Sequence, residues 1–168
     1  GGSVENRARF LLEVVEEVCK VWGSDRVGIK LSPSNTFYGM HDSNSLVTFS
    51  YILEQLNPFK LAYVHLMEPS EDDLKTREVI NPVISTFRPF YSGVIITNGG
   101  YDKSKGNEIL ETGQADFVSF GRLFIANPDL PERFALDAPL NELDFATIYS
   151  KSDQNLEQGY TDYPLLAG

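Results

Sequence analysis

Two hydrophobic periodicities take turns along this chain, and their strict alternation limits the fold more than any single motif does. Phe10, Leu11, Val14, Val15, Val18 and Trp22 recur at steps of three and four, which predicts an amphipathic helix over 6–22 stopped by Gly23. Residues 26–32 then alternate and end at Pro33, the pattern of a short strand. A polar loop over 34–44 leads to a helix bearing Leu46, Phe49, Ile52, Leu53 and Leu56, closed by Asn57-Pro58. The second strand is expected over 61–66, with a polar loop over 67–73. Val79, Ile80, Val83, Ile84 and Phe87 mark a third helix, which Pro82 must kink or begin. Residues 93–97 form a third strand ending in Asn98-Gly99-Gly100, and a helix over 104–111 comes next with Gly113 as its cap. A fourth strand over 117–120 runs into Gly121-Arg122, and Asn127-Pro128 is expected to open the last helix as N-cap and N1.

Alternation of this kind implies a parallel sheet with right-handed crossovers, either a small doubly wound sheet or part of a (β/α)₈ barrel. The strand faces favour the barrel. Gly28, Lys30 and Ser32 share one face while Val27, Ile29 and Leu31 share the other; likewise Tyr63, His65 and Met67 oppose Ala62, Val64 and Leu66. Strands covered by helices on both sides tend to be apolar on both faces. Four strands are half of such a barrel. The expectation is therefore an α/β fold, a half-barrel over 1–137 with an irregular polar tail over 138–168, completed by a partner half or by self-association.

The bulk numbers leave room for this and exclude other classes. A chain of 168 residues with 42% hydrophobic and 12% aromatic content can bury a core. No apolar run approaches the roughly 20 residues of a membrane span, and Gly1-Gly2-Ser3 followed by charges does not read as a signal peptide. The net charge of −10 argues against a nucleic-acid partner. Cys19 is the single cysteine, so a reducing, cytoplasmic setting is expected and no standard zinc site is available.

Ligands of parallel α/β folds bind at the C-terminal ends of the strands. Gly99-Gly100 and Gly121-Arg122 both stand there. Glycines let backbone N–H groups approach a phosphate, and a guanidinium can pair with it through two bonds. A glycine pair is also ordinary turn chemistry, and it is the coincidence of both loops with Arg122 that points to phosphate. Lys30 on the inward face is either a strand-end lysine reaching water or a charge held beside an anion or an electron-accepting ring. His65 reads as a hydrogen-bonded core histidine and His41 as solvated. Glu68 and Asp72 could make a carboxylate pair after the second strand, although such loops are usually just polar. Cys19 has no activating neighbour except Lys20 and reads as inert.

Several segments resemble the Old Yellow Enzyme family. Gly1 to Phe10 is similar to that family's "GGS-hydrophobic-ENRARF" segment; residues 27–33 resemble its fifth strand and 63–69 its sixth. Residues 120–130 resemble its eighth strand and following helix, and Gly159-Tyr160-Thr161-Asp162-Tyr163-Pro164 its C-terminus. The resemblance implies an FMN-dependent (β/α)₈ barrel that takes hydride from NADPH or NADH and delivers it to activated alkenes such as enones. It implies that Gly99, Gly100, Gly121 and Arg122 hold the FMN phosphate. It also implies that Lys30 stands where the family usually has an arginine near the flavin N1/O2 edge, and that Tyr149 lies near the substrate pocket. Lysine keeps the charge but loses the planar fork.

The family's substrate-binding His/Asn or His/His pair and proton-donating tyrosine belong to its first four strands, so no catalytic residue is expected among these residues. The partner is then an N-terminal half-barrel chain or a second copy of this one. The alternative is a non-catalytic half-barrel module that self-associates.

Overall fold

The structure is a computed structural model describing residues 1–149 and 157–166; of the expected tail, 150–156 and 167–168 lie outside the described residues. The chain divides into two compact units, residues 1–119 and 120–168. In the first unit, elements run α1 (Val4–Trp22), β1 (Gly28–Leu31), α2 (Ser45–Leu56), β2 (Tyr63–Met67), α3 (Glu71–Thr76), α4 (Val83–Phe87), β3 (Ile95–Asn98), α5 (Lys103–Glu111) and β4 (Phe117–Val118). The strands form one parallel sheet in the order β1-β2-β3-β4. A doubly wound sheet reverses its order at a switch point, whereas adjacent strands of a barrel keep chain order, as here.

Register aligns Lys30 with His65, His65 with Ile96, and Ile96 with Phe117. One face of the sheet carries Val27, Leu31, Val64, Leu66 and Ile95, all buried under the helices together with Leu53, Leu56, Val83, Ile84 and Phe87. Each such side chain contributes roughly 1.5–3 kcal/mol of transfer free energy. The other face, with Gly28, Lys30, Tyr63, His65 and Phe117, is exposed or only partly covered. The Tyr63 ring lies where a Cβ on Gly28 would sit, 2.3 Å away, so a small residue on one strand makes room for a large one on the next.

The sequence pattern misplaces the core face of α1. Ala8 and Val15 are buried, with Leu11, Leu12 and Cys19 packed beside them, and Arg7 Nε donates to Thr48 Oγ1 of α2 at 3.1 Å. The larger residues Phe10, Val14, Val18 and Trp22 remain exposed. The expected stripe mixes two apolar faces, and the narrower one, with alanine at its centre, lets α2 approach.

The loops after β1 and β2 depart from expectation too. Residues 71–73, expected in a polar loop, join 74–76 to form α3 behind a capping box of Ser70 and Asp73. The buried Asp73 carboxylate gathers donors from both loops. Its Oδ2 accepts from Ser70 N (2.8 Å), Ser70 Oγ (2.7 Å) and Asn35 Nδ2 (2.9 Å), and its Oδ1 from Thr36 N (2.6 Å) and Thr36 Oγ1 (2.8 Å). Pro82 sits at the N-cap of α4, so the helix begins at Val83 and omits Val79 and Ile80.

The second unit contains α6 (Arg122–Ala126) and α7 (Leu130–Leu136). Asn127 does not open a helix as expected. It is fully buried, its Nδ2 donates to Leu123 O at 2.9 Å, and its Oδ1 accepts from Asn141 N at 2.7 Å; Asp129 takes the N-cap position of α7. Residues 138–149 and 157–166 form no helix or strand, but they are held by Arg133, which donates to Asp129, Pro139 O and Pro164 O at 2.6, 2.6 and 2.8 Å. No helix among the described residues is long and apolar enough to cross a membrane.

Asp73 generates a stability prediction with a definite sign. Burial alone would raise its carboxyl, but the hydrogen bonds from Ser70 and Thr36 outweigh this and hold it well below the usual carboxylate range. A depressed folded value means stability that is complete above the unfolded value of about 3.9 and is lost as pH falls through the folded one. Asp73→Ala is expected to cost about 2–4 kcal/mol in urea unfolding near neutral pH. Asp73→Asn is expected to lose less stability than the parent between neutral pH and acid; parallel pH profiles for the two would contradict the assignment.

Candidate functional site

The C-terminal end of β3 is built around two glycines. Gly99 has φ +108°, and a Cβ there would lie 3.0 Å from the Glu68 carbonyl oxygen, so both its conformation and its close approach to β2 exclude a side chain. Gly100 comes next with φ +72° and no atom within 4 Å of where a Cβ would be. Among the described residues, no acceptor meets the N–H of Gly99 or Gly100. Successive donors in such a turn form a concavity suited to an anion.

Glu68 stands beside this turn without offering chemistry to it. Its N–H donates to Asn98 O at 2.8 Å, while its buried carboxylate accepts from Val83 N at 2.7 Å and Ile84 N at 2.8 Å. It caps the N-terminus of α4, where the helix dipole favours negative charge. Asp72 instead lies exposed beside Lys75, so the two do not form a carboxylate pair.

Lys30 and His65 are register partners on the open face of the sheet. No ion pair among the described residues involves Lys30. His65 Nε2 lies 3.0 Å from Ser119 Oγ, just past the end of β4. Burial and the neighbouring Lys30 charge push His65 below its ordinary value, against an opposing pull from the Asn98 side chain. Asn98 Oδ1 is buried without a hydrogen-bond partner among the described residues. Pattern reasoning missed Ser119 and Asn98 as companions of His65, although the period-2 alternation carries both onto its face at their strand ends.

In the second unit, Gly121 is the residue before α6, with open space around it, and Arg122 begins that helix. The Arg122 guanidinium carbon lies 5.3 Å from the centroid of the Phe145 ring, a cation–π contact that holds the exposed side chain. Tyr149 is 89% exposed. Of the six residues singled out from sequence, Lys30, Gly99 and Gly100 thus stand at or near the strand ends of the first unit, and Gly121, Arg122 and Tyr149 belong to the second. Cys19 is a free thiol pushed up by burial, in keeping with an inert cysteine. No cluster of metal-ligating side chains exists among the described residues.

Comparison with known proteins places this geometry. Residues 1–141 match the NADH:flavin oxidoreductase / NADH oxidase family. A relative described as putative 12-oxophytodienoate reductase 3 of Oryza sativa subsp. japonica is 47% identical over 99% of this chain and 43% of its own length. The structure of the old yellow enzyme from Trypanosoma cruzi superposes with a TM-score of 0.89 at 36% identity, over 99% of this chain and 42% of that one. Morphinone reductase in complex with tetrahydroNAD gives 0.84 at 42% identity, over 99% and 43%. The chain therefore spans less than half the length of the relatives it matches, and its four-stranded sheet is half of a (β/α)₈ barrel. It belongs to the NADH:flavin oxidoreductase family, the family of the old yellow enzymes.

Proposed function

We propose that this chain is the FMN-phosphate-holding half of an ene-reductase barrel. The observation that carries the reading is the Gly99-Gly100 turn, with two positive-φ glycines whose N–H groups meet no protein acceptor among the described residues. That donor set suits a phosphate, and by the family resemblance the guanidinium of Arg122 would supply the charge the backbone lacks. Gly99 and Gly100 lie in one unit and Gly121 and Arg122 in the other. Their joint hold on one phosphate rests on the family resemblance. The chemistry FMN supplies when bound is a two-electron hydride relay from NADPH or NADH to the β-carbon of an activated alkene.

Lys30 would face the N1/O2 edge of the ring, where an ammonium favours the negative charge that accompanies reduction. Tyr149 would border the substrate pocket. The groups that polarise the substrate carbonyl and donate the proton belong, by the same resemblance, to the preceding four strands of the barrel. Two features support assembly: β1 and β4 each have one hydrogen-bonded neighbour in the sheet, and α1 exposes Phe10, Val14, Val18, Val21 and Trp22. The same features favour a second reading, a self-associating module without catalysis. Solution mass together with retained yellow colour separates the two readings.

On the first reading, Arg122→Ala in the assembled barrel is expected to weaken FMN binding by about 1.5–3 kcal/mol, the loss of a charge-assisted bond. An unchanged titration would remove Arg122 from the site. In redox titration, Lys30→Met is expected to lower the flavin potential while Lys30→Arg preserves or raises it. One potential for all three proteins would mean that the ammonium points elsewhere. The isolated chain is expected to be dimeric or larger and to reduce no enone faster than free FMN, and turnover is expected on mixing with the N-terminal half. NADPH-dependent enone reduction by a pure monomer would contradict the reading.

A further inference from the structure

We propose that His65 is the proton-storing partner of Lys30: neutral while the lysine charge is unopposed, and protonated from solvent when an anion is set beside Lys30 on the inner face of the sheet. The identity of that anion as a reduced flavin rests on the reading above; the coupling itself rests on this chain's geometry.

Parallel register sets Lys30 and His65 side by side on adjacent strands, with side chains on the same face. Positive charges carried by neighbouring residues on adjacent strands repel, by an amount that depends on what else is near. Within its own unit, the register gives His65 the following neighbours, with Met67 two residues on along its own strand. On β3 its neighbours are Ile96, in register, and Asn98; on the β4 side they are Phe117, one strand further in the same row, and Ser119; two residues back on its own strand, Tyr63 lies over Gly28. Glu68 is turned away to the N–H groups of Val83 and Ile84. Burial disfavours the charged imidazole first, and Lys30 is the charged group among these neighbours that adds to it.

The hydrogen-bonding groups allow both charge states. Ser119 Oγ, 3.0 Å from Nε2, can donate to a neutral ring nitrogen or accept from a protonated one by rotating its hydroxyl hydrogen. The Asn98 side chain, on the same face as His65, favours the charged ring. An aliphatic residue at 98 or 119 would leave imidazolium N–H groups unsatisfied, at the cost such burial carries. Protonation here adds one proton from solvent and breaks no bond. An anion beside Lys30 would draw a second positive charge to the site.

The test is an NMR pH titration of the histidine ring protons in the full chain, with only His41 and His65 to assign and His41 exposed. Lys30→Met is expected to move the His65 midpoint to higher pH, Lys30→Glu to move it higher still, and Lys30→Arg to leave it near the parent value. His41 is expected to stay fixed in all four proteins. A His65 midpoint that ignores the charge at position 30 overturns the proposal, as does a Glu variant no different from Met. Reduction of FMN bound in the assembled barrel is expected to raise the same midpoint. If the variants keep the predicted order while reduction has no effect, the coupling stands and it is the placement of the flavin beside Lys30 that fails.

Discussion

Only one face of the four-stranded sheet is covered by the helices of its own unit, and the chemistry of the strand ends depends on that. Val64, Leu66 and Ile95 are fully buried under α2 and α4, while the register partners Lys30 and His65 on the opposite face remain partly open. In a closed barrel, side chains from the remaining strands would fill this inner face. Here Lys30, His65 and two polar strand-end residues interrupt the apolar side chains of Tyr63, Ile96 and Phe117, a composition that leaves room for a polar ligand above it.

The acids nearest the strand ends are already committed to the scaffold. Glu68 caps α4 and Asp73 ties the loop after β1 to the start of α3. Glu68 satisfies the buried N–H groups of Val83 and Ile84, which would cost more unpaired than an average hydrogen bond contributes, and the buried Asp73 carboxylate is itself satisfied by the donors of Thr36 and Ser70. With those two carboxylates engaged, the N–H groups of Gly99 and Gly100 and the ammonium of Lys30 remain open to a ligand at these strand ends. In a chain with a net charge of −10, these few donors and one ammonium are the local features that suit an anion.

Much of this is legible in the sequence wherever a residue's role is set by its own strand or helix. The four parallel strands, the inward position of Lys30 and His65 and the glycine turn after β3 all come from period and punctuation. Roles set across elements are hidden from it. The core face of α1 depends on how closely α2 can pack, so Ala8 outweighs Phe10 and Trp22. Asn127 has the chemistry of an N-cap, but its side chain is spent on Leu123 and on Asn141, fourteen residues further along. Asp73 reads as the end of a loop because its donors come through space from Asn35 and Thr36, or from Ser70 through a cap that forms only when α3 does.

The central claim is that this half of the barrel holds a flavin by its phosphate, and the direct measurement is a comparison of ligands that differ only there. FMN and riboflavin, titrated into the assembled barrel by fluorescence quenching, share the ring and ribityl chain. If the Gly99-Gly100 turn and Arg122 grip the phosphate, riboflavin binds at least about tenfold more weakly, a difference of about 1.4 kcal/mol, and the gap narrows as salt rises. Equal affinities for the two ligands at low salt would contradict the account.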